Sequence, residues 1–300
     1  MTEERKQEIL EIIRNTNRRP AQTGKPLYPE EIMAYPNLCE EIESISRTVD
    51  GFSYRMDILR AKNRGKNCPL FINIHGGGFI GPHRENDTYF SAYMADQIHG
   101  ITVDLDYTLS DAAPYPVALH QCMDALDYVA EHANTWGASA KDISVGGYSA
   151  GGALTAAMGI CCAERGGFVP KLQILSYPPL EYRIPDQYKI DAYDRQIGME
   201  RCKAFADLYF DDKKENFEDI HNSPLYAPRE ILAKQPKTLI LSAGLCNFRY
   251  EDEDYAICLA DAGAEVILKR FPEASHGFIP HFMDGWKEAA DLMVREILEK

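Results

Sequence analysis

The chain has 300 residues, and its 45% hydrophobic and 26% charged residues match an ordinary globular protein with a sizeable core. The formal net charge of −14 at pH 7 disfavours nucleic acid and anionic membranes as partners, because both are themselves negatively charged. The first residues are charged throughout, and no apolar stretch approaches the length of a membrane span. We therefore expect a cytoplasmic protein, and assembly into a homo-oligomer is left open.

The cysteines are scattered along the chain without the spacing of a disulfide framework. They predict free, mostly buried thiols. Neither a CxxC nor an HExxH pattern occurs, so the sequence supports no metal site. The eight residues are Cys39, Cys68, Cys122, Cys161, Cys162, Cys202, Cys246 and Cys258.

The chain begins with a helical pattern and continues with strands. Residues 1–45 indicate one amphipathic helix, with Ile9 and Ile13 in its apolar stripe, followed by a loop with several prolines. From Phe52 onward FSYRMDILRA alternates, and PLFINIH and ITVDLDY are continuous apolar runs typical of buried strands.

Helix and strand patterns then alternate to the end of the chain. Helical spacing occurs in PVALHQCMDALDYVAEHANTWG, AGGALTAAMGICCAE and YEDEDYAICLADAG, and in a terminal helix from about Met283. Strand patterns occur in DISVGGY, KLQILSYPPL, KTLILSAGL and EVILKRF. This alternation predicts an α/β fold whose mostly parallel central sheet is covered on both faces.

A polar, tyrosine-rich stretch at residues 181–227 interrupts the alternation and predicts short helices and loops inserted over the strand ends. Together with the N-terminal helix it is long enough to cover a site as a lid. The alternative is a structural excursion that takes no part in binding.

Two glycine motifs indicate nucleophilic catalysis. GGYSAGG places Ser149 between a strand and a helix, where a nucleophile elbow needs small neighbours on both sides. HGGGF follows a buried strand, and its three glycines suggest backbone amides that closely face an incoming oxyanion. Gly76 and Gly77, with the amide of Ala150, are the predicted donors.

A histidine in EASHGF is the candidate general base. In this arrangement the base follows the last strand, so only His276 and His281 are in range, and the glycine after His276 favours that residue. The histidines set aside by position are His75, His83, His99, His120, His132 and His221.

These segments resemble the hormone-sensitive-lipase-like branch of the α/β-hydrolases, whose esterases and lipases carry HGGG and a GDSAGG elbow. The resemblance covers nearly the whole chain, since DYTLSDAAPYP, SPLYA and SHGF fall in the family's order. It implies one α/β-hydrolase domain over residues 1–300 with helical cap elements at about 1–45 and 181–227. It further implies hydrolysis of small short-acyl carboxylic esters by Ser149 and His276, with no cofactor.

The chain departs from the family pattern at two positions. Tyr148 stands where the family has an aspartate before the serine, and Cys246 stands where the catalytic acid usually begins a DPL triplet. Loss of the acid weakens such a site without abolishing it, since a neutral amide there costs a serine protease about 10⁴ in kcat. Cys246 is either a redox-sensitive neighbour of the histidine or a neutral residue that packs there.

Several groups could replace the missing acid. Glu251 or Asp252 could reach back from the following helix, or Glu181 could serve from the end of the preceding strand. Otherwise Asn247 or a water molecule orients His276, or the site is degraded. The sequence therefore leaves two alternatives to an esterase: a peptidase or amidase on the same fold, and a binding protein or pseudoenzyme that retains the pocket.

Overall fold

The computed structural model describes residues 1–16, 27–184 and 197–299. Its central feature is a single sheet of eight strands. In chain order, strands β1 to β8 are Glu43–Val49, Phe52–Arg60, Cys68–Ile74, Ile101–Asp106, Ala138–Tyr148, Leu172–Ser176, Lys237–Ala243 and Val266–Phe271. Helices α1 to α9 are Glu3–Asn15, Glu30–Met33, Glu85–Gln97, Val117–His132, Ala150–Arg165, Met199–Tyr209, Arg229–Leu232, Arg249–Ala262 and Trp286–Leu298. Segments of 3₁₀ helix occur at Tyr35–Leu38, Lys214–Glu218 and Pro224–Tyr226.

The strands lie across the sheet in the order β1-β2-β4-β3-β5-β6-β7-β8. Strand β2 runs antiparallel to both β1 and β4, and the other neighbouring strands are parallel. The carboxyl ends of parallel strands meet at one edge of a sheet, so the loops after β3, β5, β7 and β8 converge there. The predicted α/β fold with a mostly parallel sheet is confirmed.

Helices cover both faces of the sheet. Consecutive residues of β3 point to opposite faces: Phe71 packs with α3 and α9, whereas Ile72 packs with α4 and α5. The sheet is therefore the middle layer of three, as the near-continuous apolar strand sequences predict. Among the helices in the described ranges, none is both long and apolar enough to cross a bilayer.

Two elements lack the sequence pattern expected of them. Strand β1 lies at the edge of the sheet with mostly exposed or half-buried side chains, so its sequence shows no apolar run. Helix α3 buries polar residues such as Asn86, Asp87 and Ser91 beside apolar ones, which hides the helical periodicity. The first helix ends at Asn15, and the terminal helix begins at Trp286, slightly after the predicted Met283.

Helices α1 and α6 pack against each other through small apolar contacts. Ile9 and Ile13 of α1 lie against Ala204 and Leu208 of α6. An ion pair of 3.1 Å between Arg5 and Asp207 lies beside these contacts.

These two helices come from the segments 1–45 and 181–227, which the sequence predicts as cap elements. Within them, residues 17–26 and 185–196 lie outside the described residues. The rest of the second segment contains α6 and two stretches of 3₁₀ helix, in agreement with the short helices and loops expected there.

Candidate active site

Ser149 stands on a sharp turn between β5 and α5. Its backbone φ of 56° and ψ of −121° are unusual for a residue with a side chain. A Cβ on Gly147 would lie 2.5 Å from the backbone of Gly151, and a Cβ on Gly151 would lie 2.1 Å from the carbonyl oxygen of Ile74. Both flanking positions therefore require glycine for the elbow to form.

The loop after β8 brings His276 to this turn. Its Nε2 lies 2.8 Å from Ser149 Oγ, within hydrogen-bond distance. On the other side of the ring, Nδ1 lies 3.0 Å from Cys246 Sγ, which belongs to the turn after β7. Three side chains thus form a row, Ser149, His276 and Cys246, in the arrangement of a serine-hydrolase triad with a thiol at the acid position.

The carboxylates considered from the sequence make other hydrogen bonds. Glu251 Oε2 accepts a bond of 2.7 Å from the amide of Leu180, and Glu181 Oε1 accepts one of 2.8 Å from the amide of Ile184. Across residues 1–16, 27–184 and 197–299, no carboxylate hydrogen-bonds His276.

Asp252 is fully buried, and burial together with the charge of Glu251 raises the pKa of its carboxyl well above the usual range. The protonated form of Asp252 is therefore favoured. Asn247 lies one contact away from the imidazole: its Nδ2 donates to Cys202 Sγ at 3.5 Å, and its Oδ1 lies 4.0 Å from Cys246 Sγ. The proposed roles of these side chains stay predictions.

Burial controls the charge of His276. Burial, with a smaller contribution from the charge of His281, lowers the pKa of the imidazole to about 3. The rings of Tyr177 and Phe248 approach it edge-on, with centroids 5.0 Å and 5.6 Å away. The ring is consequently neutral at pH 7 and able to accept a proton, but its imidazolium form needs a compensating negative charge.

The HGGGF loop lies directly beside Ser149. A Cβ on Gly76 would lie 3.2 Å from Ser149 Cβ and 2.6 Å from the carbonyl oxygen of Tyr148. Within the described residues, the amides of Gly76 and Gly77 donate to no protein acceptor, and Ala150, as the first residue of α5, has no helical acceptor for its own. The loop and the helix start thus bring unpaired amides close to the serine.

His75 stiffens this loop. Its ring is buried and stacks on Tyr107 with centroids 4.3 Å apart, and its Nδ1 lies 2.7 Å from the carbonyl oxygen of Gly76. Burial lowers the pKa of His75 to about 4, so it is neutral at pH 7. Its buried contacts are those of a structural residue of the loop.

Tyr148 anchors the elbow from behind. Its buried hydroxyl accepts a bond of 2.9 Å from Asn73 Nδ2 and donates one of 3.3 Å to Asp87 Oδ1. Asn73 also donates to Asp104, which lies 2.7 Å from His83 Nε2. The sequence signals for this network are Asn73 in the apolar run PLFINIH and Asp104 in ITVDLDY. Neither residue indicates that Tyr148 is its partner.

The network contains two unusual carboxyl groups. Burial and the charge of Asp104 raise the pKa of Asp87 to about 7. Burial opposes ionisation of Asp104 as well, but the charge of His83 outweighs it and lowers the pKa of Asp104. Burial would lower the pKa of His83, but Asp104 raises it to about 9. An ion pair and a carboxyl that titrates near neutrality thus lie behind Ser149.

Helix α6 covers the HGGGF loop. The side chain of Phe205 occupies the space beside Gly78, where a Cβ would lie 2.4 Å from the ring. Phe79 stacks on Tyr209 with centroids 3.7 Å apart. A cavity of about 10 Å³, room for one water molecule, remains behind this stack. Its lining includes Phe79, Leu154, Ala157, Tyr182, Tyr209 and His221.

A match to a known family agrees with this geometry. The family described as alpha/beta hydrolase fold matches residues 71–280, which include both glycine motifs and His276. The chain belongs to this family. The α/β-hydrolase fold expected from the sequence resemblance is therefore confirmed.

Individual relatives include named esterases and lipases. Esterase LipI of Mycobacterium tuberculosis is 30% identical over 217 residues, which are 71% of this chain and 66% of LipI. This α/β-hydrolase thus spans just under two thirds of the length of LipI. The hormone-sensitive lipase of Bos taurus is 29% identical over 120 residues, 40% of this chain and 16% of that protein.

Solved structures share the complete fold. The esterase of Pyrobaculum calidifontis superposes with a TM-score of 0.81 at 24% identity, over 98% of this chain and 92% of that one. The match extends beyond residues 71–280, so the fold of this α/β-hydrolase resembles that structure along almost its whole length.

Proposed function

We propose that this α/β-hydrolase cleaves carboxylic esters with small acyl groups through an acyl-enzyme on Ser149. The observation that carries the proposal is the 2.8 Å contact between Ser149 Oγ and His276 Nε2 on a strained elbow. The names of relatives such as LipI support the same reaction class.

In the first step Ser149 Oγ attacks the ester carbonyl while its proton passes to His276 Nε2. Negative charge then develops on the carbonyl oxygen. The amides of Gly76, Gly77 and Ala150 donate to that oxygen, and one such donor typically contributes about 2.7 to 4 kcal/mol to catalysis. Because these amides are already unpaired, they need little reorganisation to do so.

In the second step the tetrahedral intermediate collapses to the acyl-enzyme. The C–O bond of the ester breaks, and His276 returns the proton to the departing alcohol. Water then enters, His276 takes its proton, and attack on the acyl carbon releases the acid and restores Ser149.

The preference for small acyl groups follows from the cover over the loop. Phe205 lies against Gly78, and Phe79 stacks on Tyr209 beside a cavity of about 10 Å³. We assign α1 and α6, within segments 1–45 and 181–227, to a cap that shields a small-molecule substrate from water.

A binding protein without turnover is the second candidate, because the side chain on His276 Nδ1 is a thiol and no carboxylate in the described residues bonds the ring. Against it, both glycine motifs retain unpaired amides beside Ser149. Such donors are the groups that stabilise the oxyanion formed in ester hydrolysis.

Hydrolysis of chromogenic acetate and butyrate esters tests the proposal. We expect the native protein to exceed its Ser149→Ala variant by at least about 10³ in kcat/KM. Equal rates for the two proteins would leave the binding protein as the better account. Circular dichroism confirms that the variant is folded.

A further inference from the structure

We propose that Cys246 acts as a thiolate that orients His276, so that ionisation of this cysteine switches the ester hydrolysis on. The inference rests on the proposed function, because it concerns how the same histidine becomes a general base. It gives the site a triad of serine, histidine and cysteine in which the cysteine is a positioning residue.

The geometry places the sulfur where a triad carboxylate would lie. Cys246 Sγ is 3.0 Å from His276 Nδ1, and the same ring presents Nε2 to Ser149 Oγ at 2.8 Å. The sulfur also accepts a bond of 3.4 Å from the amide of Phe248, the N-cap residue of α8. The amide of Phe248 therefore donates to the sulfur, and Nδ1 does so when it carries the ring proton; donors to an ionised group stabilise that form.

The protonation state of the sulfur decides which ring nitrogen is available. A thiol that donates its proton to Nδ1 leaves the ring proton on Nε2, which then points at Ser149 and cannot accept. A thiolate must accept, so Nδ1 carries the proton and Nε2 is free to act as the base. The wrong tautomer is the reason that a neutral partner costs a serine protease so much.

A thiolate at Cys246 also balances the charge that develops on His276 during the reaction. In the thiolate state the resting site carries one negative charge, on sulfur. When Ser149 attacks, its proton moves to His276 Nε2, and the negative charge of the intermediate rests on the substrate oxygen. The imidazolium then lies between that oxyanion and the thiolate of Cys246, which compensates a cation that burial otherwise disfavours.

The other titratable groups around the pair come from separate segments. Tyr177 follows β6 and Asp252 lies on α8, and burial raises the pKa of both well above their usual ranges. The uncharged form of each is therefore favoured. Cys202 of α6 contacts the pair only indirectly, because it accepts a hydrogen bond from Asn247. His281, when protonated, disfavours the imidazolium form of His276. Neither Tyr177 nor Asp252 can therefore replace the negative charge of the thiolate.

The test is the pH dependence of kcat/KM on a chromogenic acetate ester, from about pH 5 to pH 10, corrected for Ser149→Ala. Native protein should gain at least about tenfold as the thiol ionises within this range. Cys246→Ser, which cannot ionise in this range, should lack the rise. Cys246→Asp should already reach its plateau below about pH 7, because its carboxyl ionises near pH 4.

Superposable pH profiles for native protein and Cys246→Ser would overturn the proposal. Circular dichroism of both proteins recognises an unfolded variant directly. The ultraviolet absorbance of the thiolate, taken as the difference between native protein and Cys246→Ser, should titrate with the kinetic midpoint.

The same absorbance separates failure of this inference from failure of the proposed function. If no protein shows hydrolysis that depends on Ser149, the proposed function fails. The thiolate titration, repeated with His276→Ala, then tests the interaction between Cys246 and His276 independently of hydrolysis. A midpoint at least about one pH unit higher without His276 supports the contact, and an unchanged midpoint overturns it.

Discussion

Ser149 Oγ and His276 Nε2 lie 2.8 Å apart although 127 positions separate them in the chain. The parallel sheet produces this contact, because β5 and β8 end at the same edge and each delivers its residue on the loop that follows. The predictions below test what this arrangement implies.

The assignment of the base can be tested with two histidines from one loop. His276→Gln should lower kcat by at least about 10³, because Ser149 loses its proton acceptor. His281→Gln should retain at least about a third of the rate, since His281 Nδ1 bonds the Tyr28 hydroxyl at 3.1 Å. Steady-state kinetics on an acetate ester measure both, and the reverse ranking would assign the base to His281.

The HGGGF loop should tolerate no side chain at Gly76. In Gly76→Ala the new Cβ would meet the carbonyl oxygen of Tyr148 at 2.6 Å, which forces the loop and its amides away from Ser149. We expect kcat to fall about 10² or more while KM changes little. Gly65→Ala is the matched control, because a Cβ there meets no atom within 4 Å. An equal effect of both changes would argue against the oxyanion role.

Stability should depend on pH through Asp87. Burial raises the pKa of its carboxyl to about 7, above the ordinary value of 3.8, so the fold favours the protonated form. This contribution is complete below about pH 4 and disappears as the pH rises through about 7. Native protein should lose up to about 4 kcal/mol from this group across that window, an upper bound because Asp104 and His83 are coupled to it.

Asp87→Asn provides the comparison, since the amide retains the shape and cannot ionise. Urea unfolding between about pH 4 and pH 8 should give a smaller decline for Asp87→Asn than for native protein. Parallel curves would mean that Asp87 does not titrate in this range. Tyr148→Phe should destabilise both proteins by about 1 to 3 kcal/mol, because it removes the buried hydroxyl that accepts from Asn73 and donates to Asp87.

Phe205 should set the size of the acyl group. Phe205→Ala removes the ring that lies against Gly78, and the space beside the loop becomes available to a longer chain. We expect the butyrate-to-acetate ratio of kcat/KM to rise about tenfold. Met199→Ala changes an exposed side chain of the same helix and should leave the ratio unaltered. An unchanged ratio for Phe205→Ala would show that Phe205 of α6 does not determine the acyl-chain preference.

The sequence predicted those features of the site that depend on backbone requirements. Only glycine fits at positions 147 and 151, because a Cβ on Gly147 or Gly151 would clash with the backbone. The spacing of these glycines around Ser149 therefore identified the elbow. The position of His276 followed from strand order in a parallel sheet. These signals are local, and they are visible in the residue types themselves.

Contacts between distant neutral side chains could not be predicted in the same way. The family pattern put Cys246 at the acid position, but the residue types left open whether its sulfur or another group lies against His276 Nδ1. The network behind Tyr148 was hidden for a similar reason, since Asn73 and Asp104 lie on strands whose remaining residues are apolar. Such contacts depend on how the strands and helices pack.

Covalent labelling tests the central claim most directly. Native protein is treated with a fluorophosphonate, the adduct is located by mass spectrometry, and ester hydrolysis is followed in parallel. We predict one phosphonyl group per chain on Ser149, loss of hydrolysis in proportion to labelling, and no labelling of Ser149→Ala. Hydrolysis that persists after complete labelling, or an adduct on a different residue, would contradict the account.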